Sequence, residues 1–203
     1  AHMPAPGEVL IWLVATPDEA PPRALAEQAL DEETFARIER LRDARARAAS
    51  FAAHAGLRRA IAAACGADPR ALRFERGAHG KPALADAALH FSLSHTKGAA
   101  GFALARTRVG FDVERLDTRD SLDALAEIAF AEEMRADVAA ALGAAKTALF
   151  YRAWTLGEAY IKATGLGISQ GLKSFAFAPD DPPRLTRASP DWGPLLRWRF
   201  GVL

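Results

Sequence analysis

The chain has 203 residues and a formal net charge of +1; half of the residues are hydrophobic and a quarter are charged. This mixture is typical of a globular protein with one large core or two small ones, and the balanced charge disfavours a nucleic-acid binder. The single cysteine, Cys65, excludes an internal disulfide framework and a cysteine-rich zinc site. Residues 1–3 look like a cloning remnant, no signal peptide follows, and the apolar run Val9–Ala15 is too short to span a bilayer. We therefore expect a cytoplasmic protein without a membrane partner.

The first half of the chain is predicted to combine strands and helices. Val9–Ala15 is apolar and lies between prolines, which indicates a buried strand. Asp31 opens a helix whose apolar residues include Leu41, and a second helix runs from about Ala44 to Ala64 and ends at Gly66. Further strands are predicted at residues 72–74, 89–95 and 99–105.

Arginines are dense along the two predicted helices. They are Arg37, Arg40, Arg42, Arg45, Arg47, Arg58 and Arg59. A solvated helix face is the usual interpretation of such a pattern. Because Ser50 and His54 lie among them, a phosphate-binding surface is a second interpretation, and both stay open.

Two stretches that follow contain candidate anion ligands. Gly77–Pro82 is a flexible loop that places Lys81 directly before a proline. The strand at 89–95 alternates apolar and polar residues, with Ser92 and Ser94 on its polar face. His95 follows Ser94 and precedes a polar turn, which makes it a candidate anion ligand.

The hexapeptide Val109–Glu114 is predicted to form a strand with two different faces. Asp112 and Glu114 share one face, and Val109, Phe111 and Val113 share the other, buried one. Two carboxylates at this spacing either hold a hard divalent cation or simply line a solvated edge strand. The hexapeptide alone does not decide between them.

The second half is predicted to be mostly helical, with a strand near its end. Helices are expected from Ser121 to Phe130, at 131–142 up to Gly143, and at 144–164, followed by strands at 174–178 and 195–203. Glu158 and Lys162 stand four apart on the last helix and share one face. An ordinary surface ion pair is the simple alternative to a functional role.

Four blocks of sequence together resemble one family. They are Gly80-Lys81-Pro82, Phe91-Ser92-Leu93-Ser94-His95, Gly110-Phe111-Asp112-Val113-Glu114 and Trp154-Thr155-Leu156-Gly157-Glu158-Ala159-Tyr160-Ile161-Lys162. Their order and spacing resemble the 4′-phosphopantetheinyl transferases of the surfactin-synthetase-activating type. The resemblance covers about residues 72–177.

The resemblance implies a fold and an activity. The expected fold class is α+β, a pseudo-dimeric transferase fold in which two similar α/β halves, 4–107 and 108–203, each pack a small antiparallel sheet on helices. The implied activity moves the phosphopantetheine arm of coenzyme A to a serine of an apo acyl- or peptidyl-carrier protein and releases adenosine 3′,5′-bisphosphate. The first half would bind the nucleotide part of coenzyme A, and the second half would bind the metal and the carrier protein. A monomer would suffice for the reaction. Fatty-acid, polyketide and non-ribosomal peptide carriers all stay open as targets.

The resemblance also assigns roles residue by residue. Asp112, Glu114 and Glu158 would bind Mg²⁺, Glu158 would also act as general base, and Lys162 would meet the phosphates. Lys81 and His95 match positions at the 3′-phosphate of coenzyme A. Other matches are Gly80, Pro82 and Ser94 near the adenine, and Ser50 and Arg37 as further 3′-phosphate contacts.

One position departs from the family pattern. The family usually has lysine directly before the catalytic glutamate, where this chain has Gly157. Either another cation such as Arg152 substitutes, or the activity is reduced. A separate alternative is a protein that binds coenzyme A or a carrier without transferring the arm. For the carrier-binding surface, the candidate residues follow Glu114, and plain packing is their alternative. They are Arg115, Leu116, Arg119, Leu122 and Leu125.

Overall fold

The structure is a computed structural model that describes residues 2–16, 19, 23–85, 89–118 and 121–203, without the side chain of Ile168. The chain divides into two units, Ala1–Arg115 and Leu116–Leu203. This division falls later than the one suggested by the sequence, so the segment 109–114 is part of the first unit. The assignment of the halves 4–107 and 108–203 to different substrates stays a prediction.

The first unit contains three helices and five strands among its described residues. In chain order they are β1 (Val9–Ala15), α1 (Arg23–Glu27), α2 (Glu32–Glu39), α3 (Ala44–Cys65), β2 (Phe74–Arg76), β3 (Pro82–Leu84), β4 (His90–Thr96) and β5 (Ala99–Ala105). An antiparallel sheet has the order β1-β5-β4, and β2 pairs with β3 in a separate antiparallel ribbon. The prediction for 99–105 is confirmed to the residue, and the strand predicted at 72–74 lies at 74–76 instead.

Side-chain caps explain where α2 and α3 begin. Asp31 accepts a hydrogen bond from the backbone N–H of Thr34 at 2.7 Å, and Asp43 does the same for Ala46 at 2.7 Å. Each bond satisfies an N–H that has no partner inside the helix. Gly66 ends α3 with a positive φ of 66°, a conformation that glycine adopts without strain. The predicted helix bounds are therefore confirmed here.

The two faces of the three-stranded sheet have different residues and different neighbours. One face packs Phe91, Phe102 and Leu104 against Leu57 and Ile61 of α3. Bulky apolar residues on both sides make this the main core of the first unit. This face fixes α3 against β4 and β5, which carry several of the predicted site residues.

The other face of the sheet carries small residues, and the segment 109–113 covers it. Ala103 and Ala105 of β5 form a buried cluster with Val109 and Phe111, and Val113 packs against that cluster. The predicted burial of Val109 and Phe111 is thus confirmed. The predicted strand at 109–114 is wrong, because the segment makes no strand ladder. Side-chain hydrogen bonds and apolar packing hold it in place instead.

Two other features of the first unit differ from the prediction. β1 is a strand as predicted, yet it is not buried, because it lies at the edge of the sheet and exposes Val9, Ile11 and Leu13. Leu41 also lies outside the core, since α2 ends at Glu39. An apolar run gives no direct sign of whether its strand is central or at an edge.

The second unit contains three helices and a two-stranded antiparallel ribbon among its described residues. They are α4 (Leu122–Ala129), α5 (Glu132–Ala140), α6 (Gly143–Thr164), β6 (Ala176–Ala178) and β7 (Arg184–Arg187). Tyr160 of α6 is fully buried, and its ring centroid lies 4.9 Å from those of both Phe175 and Trp198. These aromatic contacts attach the C-terminal part of the chain to α6.

Three predictions for the second unit need correction. Ser121 precedes α4 but makes no side-chain capping bond. Gly143 begins α6 rather than ending α5. Residues 195–203 form a 3₁₀ turn at Leu195–Arg197 and no strand, because Trp198 and Phe200 pack around Tyr160 instead of pairing in a ladder.

The mixture of helices and small antiparallel sheets confirms the α+β class. Among the described helices, none is both long enough and apolar enough to cross a membrane.

Candidate active site

A row of three hydroxyls on β4 holds the segment that carries Asp112 and Glu114. Ser92, Ser94 and Thr96 alternate along β4, so they share one face of the sheet, and we call them the hydroxyl row. In the register of the two strands they pair with residues of β5 that are all small, namely Ala103, Gly101 and Ala99. The small partners leave space for residues 109–114, which we call the carboxylate segment.

Ser92 binds the backbone of the carboxylate segment. Its Oγ accepts a hydrogen bond from the N–H of Phe111 at 2.9 Å and lies 3.4 Å from the Phe111 carbonyl oxygen, to which it donates. Ser92 is buried, and this pair of bonds supplies the partners that a strand ladder would otherwise give. A single serine therefore fixes the backbone directly before Asp112.

The other two members of the row bind the carboxylates themselves. Ser94 Oγ donates to Asp112 Oδ1 at 2.7 Å, and Thr96 Oγ1 donates to Glu114 Oε2 at 3.3 Å. Both carboxylates are half-buried. The hydroxyl row thus sets the direction of both acidic side chains, as hydrogen bonds to ligating carboxylates do in metal sites.

Gly101 lets the ring of Phe111 reach the sheet. A Cβ atom at residue 101 would lie 2.7 Å from Phe111 Cε1 and 2.7 Å from the carbonyl oxygen of Trp12. Both distances are shorter than van der Waals contact, and one involves backbone. The position therefore accepts only glycine while Phe111 and Trp12 stay where they are.

The carboxylate segment offers oxygen ligands only. Asp112 and Glu114 provide carboxylate oxygens, and each accepts a hydrogen bond from a hydroxyl of β4. Such a set suits Mg²⁺, which prefers oxygen ligands and keeps some water. Over its described residues, neither unit by itself gathers three or more His, Cys, Asp or Glu side chains in one group. The first unit therefore supplies two carboxylates, and the role of each as a ligand stays a prediction.

Lys81 lies beside the carboxylate segment. Its Nζ donates to the carbonyl oxygen of Val109 at 3.2 Å. Burial, and next the charge of Arg108, lower the pKa of Lys81 to about 8. The pKa of His90 is also lowered, by burial and by the charges of Lys81 and Arg108. A cationic region therefore borders the segment, and an incoming anion would relieve its mutual repulsion.

The lowered pKa of Lys81 predicts how anion binding depends on pH. Because the lysine is protonated below pH 8 and loses its charge above it, kcat/KM for coenzyme A should fall as the pH rises through about 8. In Lys81→Arg this limb should move to higher pH, since arginine stays charged. Steady-state rates measured from about pH 6.5 to about pH 10, a range that includes the lowered pKa and approaches that of an ordinary lysine, test this expectation. Coincident profiles for the two proteins would show that Lys81 does not carry the titration.

A second cationic group gathers on α2, α3 and β4. Arg37 Nη2 lies 3.4 Å from His54 Nε2, and Ser50 Oγ lies 3.3 Å from His95 Nε2. Burial, then the charges of Arg37 and His95, lower the pKa of His54 to about 4. The structure thus brings together the predicted phosphate ligands Arg37, Ser50 and His95. His54, which the resemblance did not assign, lies among them.

Two of the seven clustered arginines have structural contacts instead. Arg58 is buried, forms an ion pair with Asp31, and donates to the carbonyl oxygen of Pro69 at 2.8 Å. Arg47 donates to the carbonyl oxygens of Leu41 and Arg42, at 2.5 and 3.1 Å. For Arg58 the interpretation as a phosphate-binding residue is wrong, because the buried guanidinium binds the chain itself. For Arg47 both interpretations stay open, because its two bonds use Nη1 alone.

The loop residues Gly80 and Pro82 flank Lys81. Gly80 has a positive φ of 83°, and its N–H donates to the carbonyl oxygen of Gly77 at 2.9 Å. Pro82 then begins β3. The turn therefore fixes the backbone on both sides of Lys81, and the predicted contacts of Gly80, Pro82 and Ser94 with an adenine stay predictions.

Glu158 and Lys162 belong to the second unit. Both lie on α6, one turn apart and half-buried, so the predicted shared face is confirmed. Their roles as base, metal ligand and phosphate contact stay predictions.

Comparison with known proteins points to one family. The model of the 4′-phosphopantetheinyl transferase superfamily matches residues 108–202. The 4′-phosphopantetheinyl transferase HetI of Nostoc sp. is 32% identical over 193 residues, which cover 91% of this chain and 80% of that protein. A putative 4′-phosphopantetheinyl transferase of Synechocystis sp. is 30% identical over 194 residues, covering 94% of this chain and 77% of that protein. The chain belongs to the 4′-phosphopantetheinyl transferase superfamily.

Similarity to the surfactin-synthetase-activating type is also present. The 4′-phosphopantetheinyl transferase Sfp of Bacillus subtilis is 30% identical over 110 residues, which cover 54% of this chain and 48% of that protein. The matched part is thus about half of each protein. The predicted resemblance to this type of phosphopantetheinyl transferase is confirmed.

Packing explains the departure of this phosphopantetheinyl transferase from the family pattern at Gly157. The residue is buried, and a Cβ there would lie 2.5 Å from Leu172 Cδ2 and 3.3 Å from Phe175 Cε2. Gly157 is therefore the point where α6 touches the chain that follows it. A lysine side chain at this position would require the side chain of Leu172 to move and would crowd Phe175.

This packing predicts the effect of restoring the family lysine. Gly157→Lys should lower the free energy of unfolding by about 2 kcal/mol through overpacking, and it should not raise transferase activity. Denaturant unfolding and a transfer assay measure both effects. Ala148→Lys, an exposed substitution on the same helix, is the matched control and should leave stability within about 0.5 kcal/mol. A stable and faster Gly157→Lys protein would contradict the packing argument.

The side chain of Arg152 contacts the loop after β6, so its contacts do not indicate that it replaces the missing lysine. Its Nη2 donates to the carbonyl oxygen of Asp180 at 2.5 Å and lies 3.5 Å from Asp181 Oδ1. These contacts tie α6 to the loop after β6. The proposed substitution of the family lysine by Arg152 therefore has no support in the side chain's contacts.

The predicted carrier-binding residues fall into four groups. Leu122 is buried in the core of the second unit, and Leu125 packs against that core, so the packing alternative holds for both. Leu116 is exposed over 63% of its surface, as an interaction residue would be. Arg119 lies outside the described residues. Arg115 interacts with other residues of the chain, and its contact with a carrier stays a prediction.

Several residues that support the site are not assigned a role by the sequence pattern. Ser92 and Thr96 lie in or beside a quoted block, and their period-two spacing with Ser94 was a signal for a row facing the carboxylates. Gly101 had no such signal, because only the position of Phe111 shows why glycine is required. His54 was noticed only as a neighbour of the arginines.

Proposed function

We propose that this chain transfers the 4′-phosphopantetheine arm of coenzyme A to a serine of an apo acyl- or peptidyl-carrier protein. The observation that carries the proposal is the carboxylate pair Asp112 and Glu114, held by the hydroxyl row in a segment that Lys81 contacts. The relatives bear the name of this activity. In the reaction a serine O–P bond forms, the diphosphate P–O bond breaks, and adenosine 3′,5′-bisphosphate leaves.

We also propose a division of labour along the chain. Residues 4–107 would bind the nucleotide end of coenzyme A, and residues 108–203 would supply the metal ligands and the carrier-protein surface. The two parts would be similar halves of a pseudo-dimeric fold. Each unit of the structure contains a small antiparallel sheet and helices, which is consistent with that arrangement.

The transfer requires neutralisation of negative charge around phosphorus. Mg²⁺, when bound, would neutralise the diphosphate oxygens and polarise the reacting phosphoryl group. Asp112, Glu114 and Glu158 would hold it, since carboxylate oxygens are the ligands it prefers. The hydrogen bonds from Ser94 and Thr96 would keep the first two carboxylates oriented before the substrate arrives.

The remaining chemistry falls to residues of α6. Glu158 would accept the proton of the carrier serine as its oxygen attacks phosphorus, because a serine hydroxyl is a weak nucleophile without a base. Lys162, one helical turn later, would contact the phosphate oxygens as a point charge. Catalysis by positioning and charge stabilisation is the general pattern for phosphoryl transfer.

Cationic residues of the first unit would bind the nucleotide. Lys81, His95 and Arg37 would contact the 3′-phosphate, with the hydroxyl of Ser50 beside His95. The turn at Gly80 and Pro82, together with Ser94, would lie near the adenine. Burial is the first cause of the lowered pKa values of Lys81 and His54, and neighbouring positive charges are the second: Arg108 for Lys81, and Arg37 and His95 for His54. These neighbouring charges support the placement of an anion here.

A binding protein without transfer activity is the second candidate. Its support is the glycine in place of the family lysine, and the packing of Gly157 against Leu172 offers a structural reason for a small residue at that position. No contact in the described part of the chain favours this candidate over the transferase.

A product assay separates the two candidates. The protein is incubated with coenzyme A, Mg²⁺ and an apo carrier protein, and released adenosine 3′,5′-bisphosphate is measured. Release should require the carrier and should stop when the acceptor serine of the carrier is replaced by alanine. Calorimetric binding of coenzyme A without any release, over several carriers, would favour the binding protein.

A further inference from the structure

His54 occupies an unusual position for a histidine in a phosphate-binding region. It lies on α3 one turn after Ser50, and its Nε2 faces Arg37 Nη2 of α2 at 3.4 Å. A guanidinium group only donates hydrogen bonds. The imidazole nitrogen that faces Arg37 must therefore be the acceptor, which requires a neutral ring with its proton on Nδ1.

The surroundings keep this ring neutral. Burial, then the positive charges of Arg37 and His95, lower the pKa of His54 to about 4, so it stays uncharged at neutral pH. A neutral acceptor stabilises a guanidinium, whereas a second cation would repel it. His54 thus differs in function from Arg37 and His95, although all three are basic residues.

Arg37 gains a fixed direction from this contact. Arg37 is exposed on α2, and its guanidinium donates a hydrogen bond to His54. Ser50 and His95 form the neighbouring contact, in which Ser50 is buried and His95 is exposed. An exposed arginine loses several rotamers when it binds a ligand, and an acceptor that fixes it in advance reduces that cost.

We propose that His54 is a positioning residue that orients Arg37 for a phosphate monoester, and that this pair gives the site its preference for a nucleotide with a 3′-phosphate. The proposal rests on the proposed function, because that function supplies coenzyme A as the ligand. It adds a residue that neither the family blocks nor the comparisons assign. The phosphate would be bound by Arg37, His95 and Ser50, and His54 would act through Arg37.

Binding measurements test the proposal without any transfer reaction. Calorimetry gives the Kd of adenosine 3′,5′-bisphosphate and of adenosine 5′-monophosphate, which differ in the 3′-phosphate. The wild-type protein should bind the bisphosphate at least tenfold more tightly, as charge-assisted hydrogen bonds allow. His54→Ala should weaken bisphosphate binding about tenfold and leave the monophosphate unchanged. His54→Gln, which keeps an acceptor near the Nε2 position, should restore binding to within about threefold.

Two further variants show whether His54 acts by orienting Arg37 or whether binding weakens through a general loss of positive charge or of folding. In the double variant Arg37→Ala, His54→Ala, binding should be no weaker than in Arg37→Ala alone, because His54 acts only through Arg37. Arg70→Ala, which removes an exposed arginine of the same unit that lies outside the arginine cluster, is the control and should retain wild-type preference. Circular dichroism checks that each protein is folded.

The outcomes distinguish this proposal from the proposed function. Equal weakening of both nucleotides by His54→Ala, additive losses in the double variant, or a wild-type protein without preference for the 3′-phosphate would each overturn the role of His54. A protein that shows the predicted binding pattern but never modifies a carrier would leave the role of His54 standing and refute the transfer reaction.

Discussion

Asp112→Ala is expected to reduce transfer of the phosphopantetheine arm by at least about 10³-fold, which corresponds to roughly 4 kcal/mol of lost transition-state stabilisation. The substitution removes a carboxylate from the proposed Mg²⁺ ligands and leaves the Oγ of Ser94 without the acceptor that lies 2.7 Å away. The fold should persist, because Asp112 is not part of the apolar cluster formed by Ala103, Ala105, Val109 and Phe111. The rate of carrier modification and the melting temperature are the two readouts.

Two related variants make this result specific. Glu75→Ala removes an exposed carboxylate from the same unit and should leave the rate unchanged. Asp112→Asn keeps the shape of the side chain and the acceptor for Ser94, yet it should also lose at least about 100-fold, since an amide oxygen is a weaker ligand than a carboxylate. Full activity in the Asp112→Asn protein would show that the residue holds the segment through Ser94 and does not bind metal.

Gly101→Ala is expected to lower the free energy of unfolding by about 3 kcal/mol and to reduce activity with it. The new methyl group would lie 2.7 Å from the ring of Phe111 and 2.7 Å from the carbonyl oxygen of Trp12, so either the ring or β1 must move. Phe111 directly precedes Asp112, and its N–H binds Ser92. A change on the sheet therefore reaches the carboxylates although residue 101 touches no ligand.

Denaturant unfolding and activity of the remaining folded protein measure this effect. Gly201→Ala is the matched control, because a Cβ there has no neighbour within 4 Å and its backbone conformation is ordinary. Combining Gly101→Ala with Phe111→Leu should recover part of the stability, since the smaller side chain relieves one of the two contacts. If Gly101→Ala is as stable and active as the wild-type protein, the close packing described for Phe111 is wrong.

The elements that the sequence predicted well are those with local signals. The helix α3 has an aspartate before it and a glycine after it, and both act through bonds within a few residues. The strand β5 was likewise bounded by turn residues. Residues within a few positions mark the ends of such elements, although the strand β5 also depends on its ladders with β1 and β4.

The elements that the sequence predicted poorly depend on distant partners. The alternation of Val109–Glu114 indicated a strand, but Ser92 takes the backbone bonds that a ladder partner would take. The terminal residues Trp198 and Phe200 alternate as in a strand, but the ring of Tyr160 attracts both. In each case a tertiary contact decides the backbone conformation, and the sequence nearby does not show that contact.

The candidate site divides along the same line. The family blocks identified the acidic residues and Lys81, because a carboxylate or an amine indicates its chemical role by its residue type alone. The supporting residues Ser92, Gly101 and His54 are ordinary residues whose importance depends on what lies against them. Only a structure shows that these residues position the acidic and cationic groups.

The intact mass of a carrier protein tests the central claim most directly. An apo carrier is incubated with coenzyme A, Mg²⁺ and this protein, alongside a reaction with Asp112→Ala, over a small panel of acyl- and peptidyl-carriers. We predict that at least one carrier gains the mass of a single phosphopantetheine arm with the wild-type protein and none with the variant. A folded wild-type protein that adds no mass to any carrier, or a variant that adds it at the same rate, would contradict the account.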